Sequence, residues 1–131
     1  MLQKVRMGLL ILVGLINFVP VFAVLSIERL AYAYDIEVTS ASVEILLRHR
    51  AVMFGIIGGF IIYSAFKPHL QRLAIVGGFI SMASYVVLSG IVGGYSPSMQ
   101  SVLNADYLAL AGLLVIVVLN ILEGMRVEPD A

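Results

Sequence analysis

The chain has 131 residues, a formal net charge of zero, and 61% hydrophobic residues against 12% charged ones. This composition is too apolar for a soluble domain, whose surface must be hydrated. The chain also lacks a basic tract, which argues against nucleic acid as a partner. The sequence has no cysteine, which excludes disulfides, thiolate metal sites and thiol catalysis. We therefore expect a single membrane domain whose function lies inside, or at the rim of, a small helix bundle.

Four apolar segments are long enough to cross a bilayer as helices. About 20 residues, each rising about 1.5 Å, span a hydrocarbon core about 30 Å thick. Because helices satisfy their own backbone hydrogen bonds in lipid, we expect an all-α four-helix membrane bundle. The predicted spans cover residues 7–25, 42–66, 70–92 and 105–123 of one domain, residues 1–131. The basic residues before the first segment also suit a signal peptide ending near Ala23, which is the alternative to a first span.

The distribution of Lys and Arg predicts the orientation, since cytoplasmic loops carry an excess of positive charge. With the N-terminus inside, five basic residues are cytoplasmic and three lie outside. The five are Lys4, Arg6, Lys67, Arg72 and Arg126, and the three are Arg29, Arg48 and Arg50. We therefore expect both termini in the cytoplasm.

The first connection on the outer side has a helical pattern of its own. Ser26–Tyr34 carries apolar residues at helical spacing opposite Glu28 and Arg29, which is typical of a short interfacial helix. We expect the segment Asp35–Thr39 to end this helix and Thr39 or Ser40 to cap the second span.

Small residues predict where the spans approach each other. In lipid no hydrophobic force holds helices together, so close packing at small residues takes its place. Gly55 and Gly59 are four apart on the second span, and Gly78 and Ser81 lie on one side of the third. We assign these four residues to helix packing.

Two residues interrupt the apolar first span. Pro20 is expected to bend the helix, because proline removes one backbone hydrogen bond. Asn17 is expected to form a hydrogen bond to a neighbouring helix.

A charged cluster at the head of the second span is the strongest candidate site. Glu44, Arg48, His49 and Arg50 fall within two turns, where the helix enters the hydrocarbon, and ionisable groups at that depth are costly and often functional. Because spans two and four both start at the outer face, we expect Asp106 at a similar depth. The helix dipole would also account for an acid in a first turn, whereas the arginines meet its unfavourable end.

The arginines therefore need partners. We predict that Arg48 pairs with Glu44 or Asp106, and that at least one arginine points into the bundle. Arg50 lies about 200° around the helix from Arg48, so it either snorkels to lipid phosphates or reaches another helix at Asp106. Beside two arginines His49 is disfavoured as a metal ligand, and we expect neither a metal nor another cofactor.

Three functions are compatible with this cluster. The favoured one is a non-enzymatic membrane protein that binds a small anionic or amphipathic ligand, because two helix N-termini and two arginines create an anion-favouring field. The second is an accessory or assembly subunit that docks a membrane protein partner or a second copy of itself. The third is an enzyme acting on a lipid-like substrate, with His49 and Glu44 or Asp106 exchanging a proton. Membrane lipids are expected partners in all three cases.

Four short motifs carry a resemblance to a known family: ILLRHRAVMFG at 45–55, AFKPHLQ at 65–71, VGGY at 92–95 and AD at 105–106. With them the chain resembles, over nearly its whole length, the small bacterial four-span proteins grouped as DoxX-like. The resemblance implies a location in the bacterial inner membrane. It also implies shared positions at Glu28, Arg29, Arg48, His49, Arg50 and Asp106, while Asn17 stands where similar proteins are expected to carry a histidine. Some similar proteins are labelled phosphopantetheine adenylyltransferase, but this chain has neither a soluble nucleotide fold nor the paired-histidine phosphate motif of such enzymes.

Overall fold

The computed structural model describes the backbone of residues 1–127 and the side chains of residues 1–124. Within that range the chain is helical, with an all-α fold as predicted. The elements are α1 (Leu2–Phe18), a 3-10 segment (Val19–Leu25), α2 (Ile27–Tyr34), α3 (Ala41–Ala65), α4 (Pro68–Val92) and α5 (Pro97–Val127). Four stretches are long and apolar enough to cross a membrane: α1 with the 3-10 segment, α3, α4 and α5. The chain is thus a small multi-pass membrane protein. Arg126, counted above for the orientation, lies outside the residues whose side chains are described.

The four long helices form a ring in the order α1, α3, α4, α5, and each contacts its two neighbours. Consequently α3 and α5 occupy opposite corners, and no Cα atom of one comes within 8 Å of a Cα atom of the other in the described part. Both helices begin at the same end of the bundle, because the connections of α4 to each of them are short. At that end α2 contacts α3, α5 and the 3-10 segment.

A continuous apolar core fills the centre of the ring. All four long helices contribute fully buried side chains, namely Leu10, Val13, Ile61, Met82, Leu113 and Ile116. The outward faces are apolar as well. Each span has large hydrophobic side chains that are more than half exposed, among them Leu12, Ile56, Ile80 and Leu114. Such a surface is suited to lipid rather than to water.

The closest helix approach joins α1 and α3. A Cβ atom added to Gly58 would lie 2.5 Å from the backbone nitrogen of Phe18 and 2.6 Å from the carbonyl oxygen of Gly14. One turn earlier, a Cβ on Gly55 would lie 2.5 Å from a methyl carbon of Val21 in the 3-10 segment. The glycine face of α3 therefore packs against the first span.

The other predicted packing residues make looser contacts. A Cβ on Gly59 would touch the ring of Phe18 at an ordinary 3.6 Å, whereas one on Gly78 would lie 2.9 Å from the side chain of Ile61. Ser81 is only partly buried, and its carbonyl oxygen accepts a hydrogen bond from its own helix. On α4 it is therefore Gly78, more than Ser81, that allows close packing.

The first span changes its helix type at Val19, one residue before Pro20. Proline lacks an N–H and its ring clashes with the preceding turn, so a regular α-helix does not continue through it. The structure has a seven-residue 3-10 segment here, and the bend at Pro20 stays a prediction. The helix also begins at Leu2 instead of residue 7, which places Arg6 inside α1, where it pairs with Glu123 of α5.

The fourth span begins at Pro97, eight residues before the predicted start. Gly93 and Gly94 have positive φ angles of 63° and 67° and reverse the chain between α4 and α5. Asp106 therefore lies about two and a half turns inside α5. Since the effect of the helix dipole falls off within the first turn, the dipole explanation of Asp106 is wrong.

Helix α2 begins and ends where its sequence indicates. The Ser26 hydroxyl accepts a hydrogen bond from the backbone N–H of Arg29 at 3.3 Å and donates one to the Glu28 carboxylate at 2.8 Å. Asp35 ends the helix in the left-handed region with φ 51°. Ser40 caps α3, as predicted, through the backbone N–H three residues on.

We expect Ser26→Ala to raise the pKa of the Glu28 carboxyl toward its ordinary value, because the Ser26 hydrogen bond is the main cause that lowers it. A lowered folded-state pKa stabilises the fold above the ordinary pKa of glutamate, and this stabilisation is lost as the pH falls through the lowered value. The effect on overall stability is small, since Glu28 is fully exposed. A carboxyl-detected NMR titration measures the pKa. Ser42→Ala on the exposed face of α3 is the control, and an unchanged Glu28 titration in Ser26→Ala would contradict the assignment.

Candidate functional site

A cavity of about 530 Å³ lies beneath α2, at the end of the bundle where α3 and α5 begin. Its walls come from the end of α1, the 3-10 segment, α2, the first three turns of α5 and Phe54 of α3. The volume falls within the range of about 300–1,000 Å³ that is typical of small-molecule pockets. Some lining residues reach the surface of the bundle, among them Val19 and Tyr32, which are 60% and 86% exposed.

The lining combines apolar walls with a few polar groups. The apolar side chains include Ile16, Ala23, Leu30, Phe54 and Val102. The polar ones are Asn17, Tyr34, Ser98, Ser101 and Asp106. This composition suits a ligand with an apolar body and a small polar head.

Two polar side chains in the lining have oxygen atoms without a hydrogen-bond partner. Asn17 is 3% exposed, and its amide nitrogen donates to the carbonyl of Val13 at 3.2 Å and to the sulfur of Met82 at 3.8 Å. Its Oδ1 has no partner in the described part, and the same holds for Oδ2 of Asp106, which is 5% exposed. An unsatisfied buried polar group costs about 1–3 kcal/mol, and a charged one more. A ligand that donates hydrogen bonds to these two oxygens would remove that cost.

Arg48 forms the predicted ion pair with Glu44. Its Nε and Nη2 each lie 2.8 Å from Oε1 of Glu44. Its Nη1 donates to the backbone carbonyl of Val24, so Arg48 also ties α3 to the end of the 3-10 segment. Neither side chain of the pair lines the cavity.

We expect Arg48→Met to destabilise the fold more than Glu44→Gln. The two side chains are 36% and 38% exposed, and an ion pair at that exposure contributes about 0.2–1 kcal/mol. The hydrogen bond from the Arg48 guanidinium to the Val24 carbonyl contributes about 1.5–3 kcal/mol, and only Arg48→Met removes it. Denaturant unfolding in detergent micelles compares the two variants, and equal losses would show that the carbonyl contact is unimportant.

Arg50 points into the bundle, which confirms the prediction that at least one arginine does so. Its guanidinium carbon lies 4.2 Å from the ring centroid of Tyr85, 5.0 Å from that of Phe54 and 5.1 Å from that of Tyr34. These rings belong to α4, α3 and α2, and cation–π attraction holds the guanidinium among them.

Arg50 does not form an ion pair with Asp106, since in the described part no nitrogen–oxygen distance of 4.0 Å or less joins the two. The reason is the order of the helices, because α3 and α5 stand at opposite corners of the ring.

His49 is exposed and lines neither the cavity nor the aromatic surroundings of Arg50. Glu44 is bound to Arg48, and Asp106 faces the cavity. The structure therefore does not bring together the acid–base pair that the enzyme hypothesis requires. Of the five predicted ligand residues, Asp106 alone lines the cavity. The other four are on α3, where consecutive side chains point about 100° apart, and none of them faces the cavity. Among the described residues no group of three metal-ligating side chains lies together.

Several residues at this end of the bundle were not predicted as site residues. Asn17 forms the predicted hydrogen bond to a neighbouring helix, at Met82 of α4, but it also lines the cavity, and an amide in an apolar span beside Pro20 is itself a signal of a polar pocket. The sequence gives no comparable signal for the three aromatic residues around Arg50. They come from three separate helices and meet only in the folded structure: Tyr34, Phe54 and Tyr85.

No protein-family model, curated protein or solved structure matches the chain. The resemblance to DoxX-like proteins therefore stays a prediction from short motifs. The chemistry of the cavity lining is the basis on which a function can be proposed.

Proposed function

We propose that this protein binds an amphipathic small molecule in the cavity beneath α2. The ligand has an apolar body and a head group that donates hydrogen bonds, such as a hydroxyl or a protonated amine. One observation supports this above all: two buried acceptor oxygens, Oδ1 of Asn17 and Oδ2 of Asp106, lack partners in a cavity with apolar walls. A donating head group beside Asn17 and Asp106 would provide the donors that these side chains lack, and the apolar body would fill the remaining volume.

The lining favours a neutral or cationic head over the anionic one predicted from the arginines. The ionisable acid in the cavity is Asp106, whereas Arg48 is bound to Glu44 and to a carbonyl, and Arg50 lies outside the lining. A ligand carboxylate beside Asp106 would bring a second like charge into apolar surroundings, which is strongly unfavourable. A hydroxyl or an ammonium group meets no repulsion from the Asp106 carboxylate.

We propose that the cavity lies at the outer face of a bacterial inner membrane. This orientation follows the Lys and Arg distribution, and the membrane follows the resemblance to DoxX-like proteins. Helix α2 would then lie at the membrane interface, and the cavity beneath it would be within reach of an amphipathic molecule in the outer leaflet. Binding alone is required of the site, and no proton-transfer pair is needed.

Three probes that share one chain test the proposal: decylamine, decanol and decanoate. The protein is reconstituted in phosphatidylcholine nanodiscs, and binding is followed by native mass spectrometry. We expect decylamine and decanol to bind about 10-fold or more tightly than decanoate, because a hydrogen bond to a charged group contributes about 1.5–3 kcal/mol and 1.4 kcal/mol is tenfold in affinity. Tightest binding by decanoate would contradict the proposal and support the anion-binding prediction.

A conservative variant tests the role of the carboxylate. Asp106→Asn keeps the shape of the side chain but removes its charge, so we expect decylamine to lose about 10-fold in affinity while decanol loses less. Asp35→Asn is the control, because Asp35 is an exposed acid that does not line the cavity. Equal losses for both probes in Asp106→Asn, or any loss in Asp35→Asn, would show that the carboxylate does not select the head group.

A further inference from the structure

A second, smaller pocket of about 210 Å³ lies between α3 and α4. Phe54 lines both this pocket and the cavity beneath α2, but the polar groups of the two are different. The lining of the smaller pocket includes Arg50, Tyr85, Ser84, Met53 and Leu88. We call it the lateral pocket.

Three polar atoms at the lateral pocket have no hydrogen-bond partner. They are Nε and Nη2 of Arg50 and the hydroxyl of Tyr85, all buried and without a hydrogen-bond partner in the described part of the chain. Tyr85 itself is only 9% exposed. The atoms without a partner at the lateral pocket include two N–H donors, whereas those in the cavity beneath α2 are acceptor oxygens.

The aromatic rings around Arg50 do not satisfy these donors. They attract the guanidinium through its charge, at 4.2–5.1 Å from the ring centroids, whereas the N–H bonds lie in the guanidinium plane and need acceptors in that plane. No carboxylate of the described residues lies within 4.0 Å of Arg50. An oxyanion with two or more oxygens fits this need, because it can accept from the guanidinium and a neighbouring hydroxyl together.

The surroundings of the lateral pocket indicate which kind of molecule carries the oxyanion. Met53 and Leu88 are 41% and 58% exposed and form an apolar rim on the outward surface of the bundle. Because that surface is suited to lipid, an oxyanion arriving there is most readily carried by an acyl-chain amphiphile.

The depth of Arg50 agrees with a lipid head group. Arg50 follows the first residue of α3 by nine positions, or about 14 Å along the axis, in a helix about 38 Å long. That helix is longer than the hydrocarbon core, and its side chains tilt toward its N-terminus. The guanidinium therefore lies nearer to the membrane boundary than its Cα atom, within reach of a phosphate drawn inward by local thinning.

We propose that the lateral pocket binds the phosphate of an anionic phospholipid. The Arg50 guanidinium and the Tyr85 hydroxyl donate to the phosphate oxygens, and the acyl chains lie along the apolar rim. This site is separate from the cavity beneath α2, since neither Arg50 nor Tyr85 lines that cavity.

Native mass spectrometry of the full chain in non-ionic detergent tests the site. The two lipid probes are palmitoyl-oleoyl phosphatidylglycerol and the phosphatidylcholine with the same acyl chains, whose choline carries a compensating positive charge. Inorganic phosphate serves as a competitor. We expect phosphatidylglycerol to bind about 10-fold more tightly than phosphatidylcholine, and millimolar inorganic phosphate to leave it bound.

Two variants and one matched control assign the effect to residues. Tyr85→Phe keeps the ring over Arg50 but removes the hydroxyl, and we expect about a 5-fold loss of affinity for phosphatidylglycerol. Arg50→Gln should abolish the preference for phosphatidylglycerol. Arg29→Gln removes the same charge from an exposed position on α2 and should preserve that preference.

Each contrary result overturns a stated part of the proposal. A preference for phosphatidylglycerol that survives in Tyr85→Phe and Arg50→Gln would show that the lateral pocket is not the site. Displacement by inorganic phosphate would show that the site takes a free oxyanion rather than a lipid. If Arg50→Gln does not fold, Tyr85→Phe decides the outcome. None of these results alters the expectation for decylamine in the cavity beneath α2.

Discussion

Gly58→Ala is expected to lower the free energy of unfolding by about 1–3 kcal/mol, the usual cost of forcing extra volume into a packed interface. The added Cβ would lie 2.5 Å from the backbone nitrogen of Phe18 and 2.6 Å from the carbonyl oxygen of Gly14. Both are backbone atoms, so no side-chain rotation relieves the overlap and α1 has to move away from α3. Because Phe18 leads directly into the 3-10 segment, the same displacement disturbs a wall of the cavity beneath α2.

The matched control is the same substitution at Gly77 on α4. A Cβ there meets no atom within 4 Å, so the higher helix propensity of alanine should leave stability unchanged or raise it by up to about 1 kcal/mol. Denaturant unfolding of both variants in detergent micelles measures the difference. Equal stabilities for Gly58→Ala and Gly77→Ala would contradict the close α1–α3 packing described here.

Asp106→Leu is expected to raise the stability of the protein while abolishing the binding of decylamine. Asp106 is 5% exposed, and its Oδ2 has no hydrogen-bond partner. A buried polar group in that state costs about 1–3 kcal/mol, which an apolar side chain of similar size recovers. A residue that weakens the fold but provides the acceptor for a ligand is expected at a functional site, where stability and activity trade off.

Asp106→Leu is informative because its expected effects on stability and on decylamine binding have opposite signs. Asn104→Leu introduces the same residue two positions earlier on α5, where Asn104 is exposed and does not line the cavity. It should change stability by no more than about 0.5 kcal/mol and leave decylamine affinity unaltered. If Asp106→Leu destabilises the protein, or if it binds decylamine as the parent does, Asp106 has a purely structural role.

Hydropathy predicted the four spans because it measures how well a segment suits lipid, but it does not locate helix ends. The start of α5 shows the difference. Its first two turns carry Ser98, Gln100, Ser101 and Asn104, so an apolar count begins at residue 105, although the helix starts at Pro97. That shift matters, since it moves Asp106 from a helix end into the wall of the cavity.

The charged cluster was predictable only where its contacts are local. Arg48 and Glu44 are four residues apart on one helix, so their pairing follows from helix geometry alone. The surroundings of Arg50 depend on which helices are neighbours, and nothing in the sequence states that α3 and α5 occupy opposite corners of the ring. The cavity itself depends on α2 and the 3-10 segment together, so the sequence alone does not assign Asn17 to its lining.

Photolabelling tests the central claim, a ligand site beneath α2, most directly. Decylamine with a diazirine at the end of its chain is irradiated with the protein in phosphatidylcholine nanodiscs, and labelled residues are mapped by peptide mass spectrometry. We predict labels at the cavity-lining residues within 16–23 and 98–106, and their loss when excess decylamine competes. Labels spread over lipid-facing positions such as Ile80, without competition by excess decylamine, would contradict the claim.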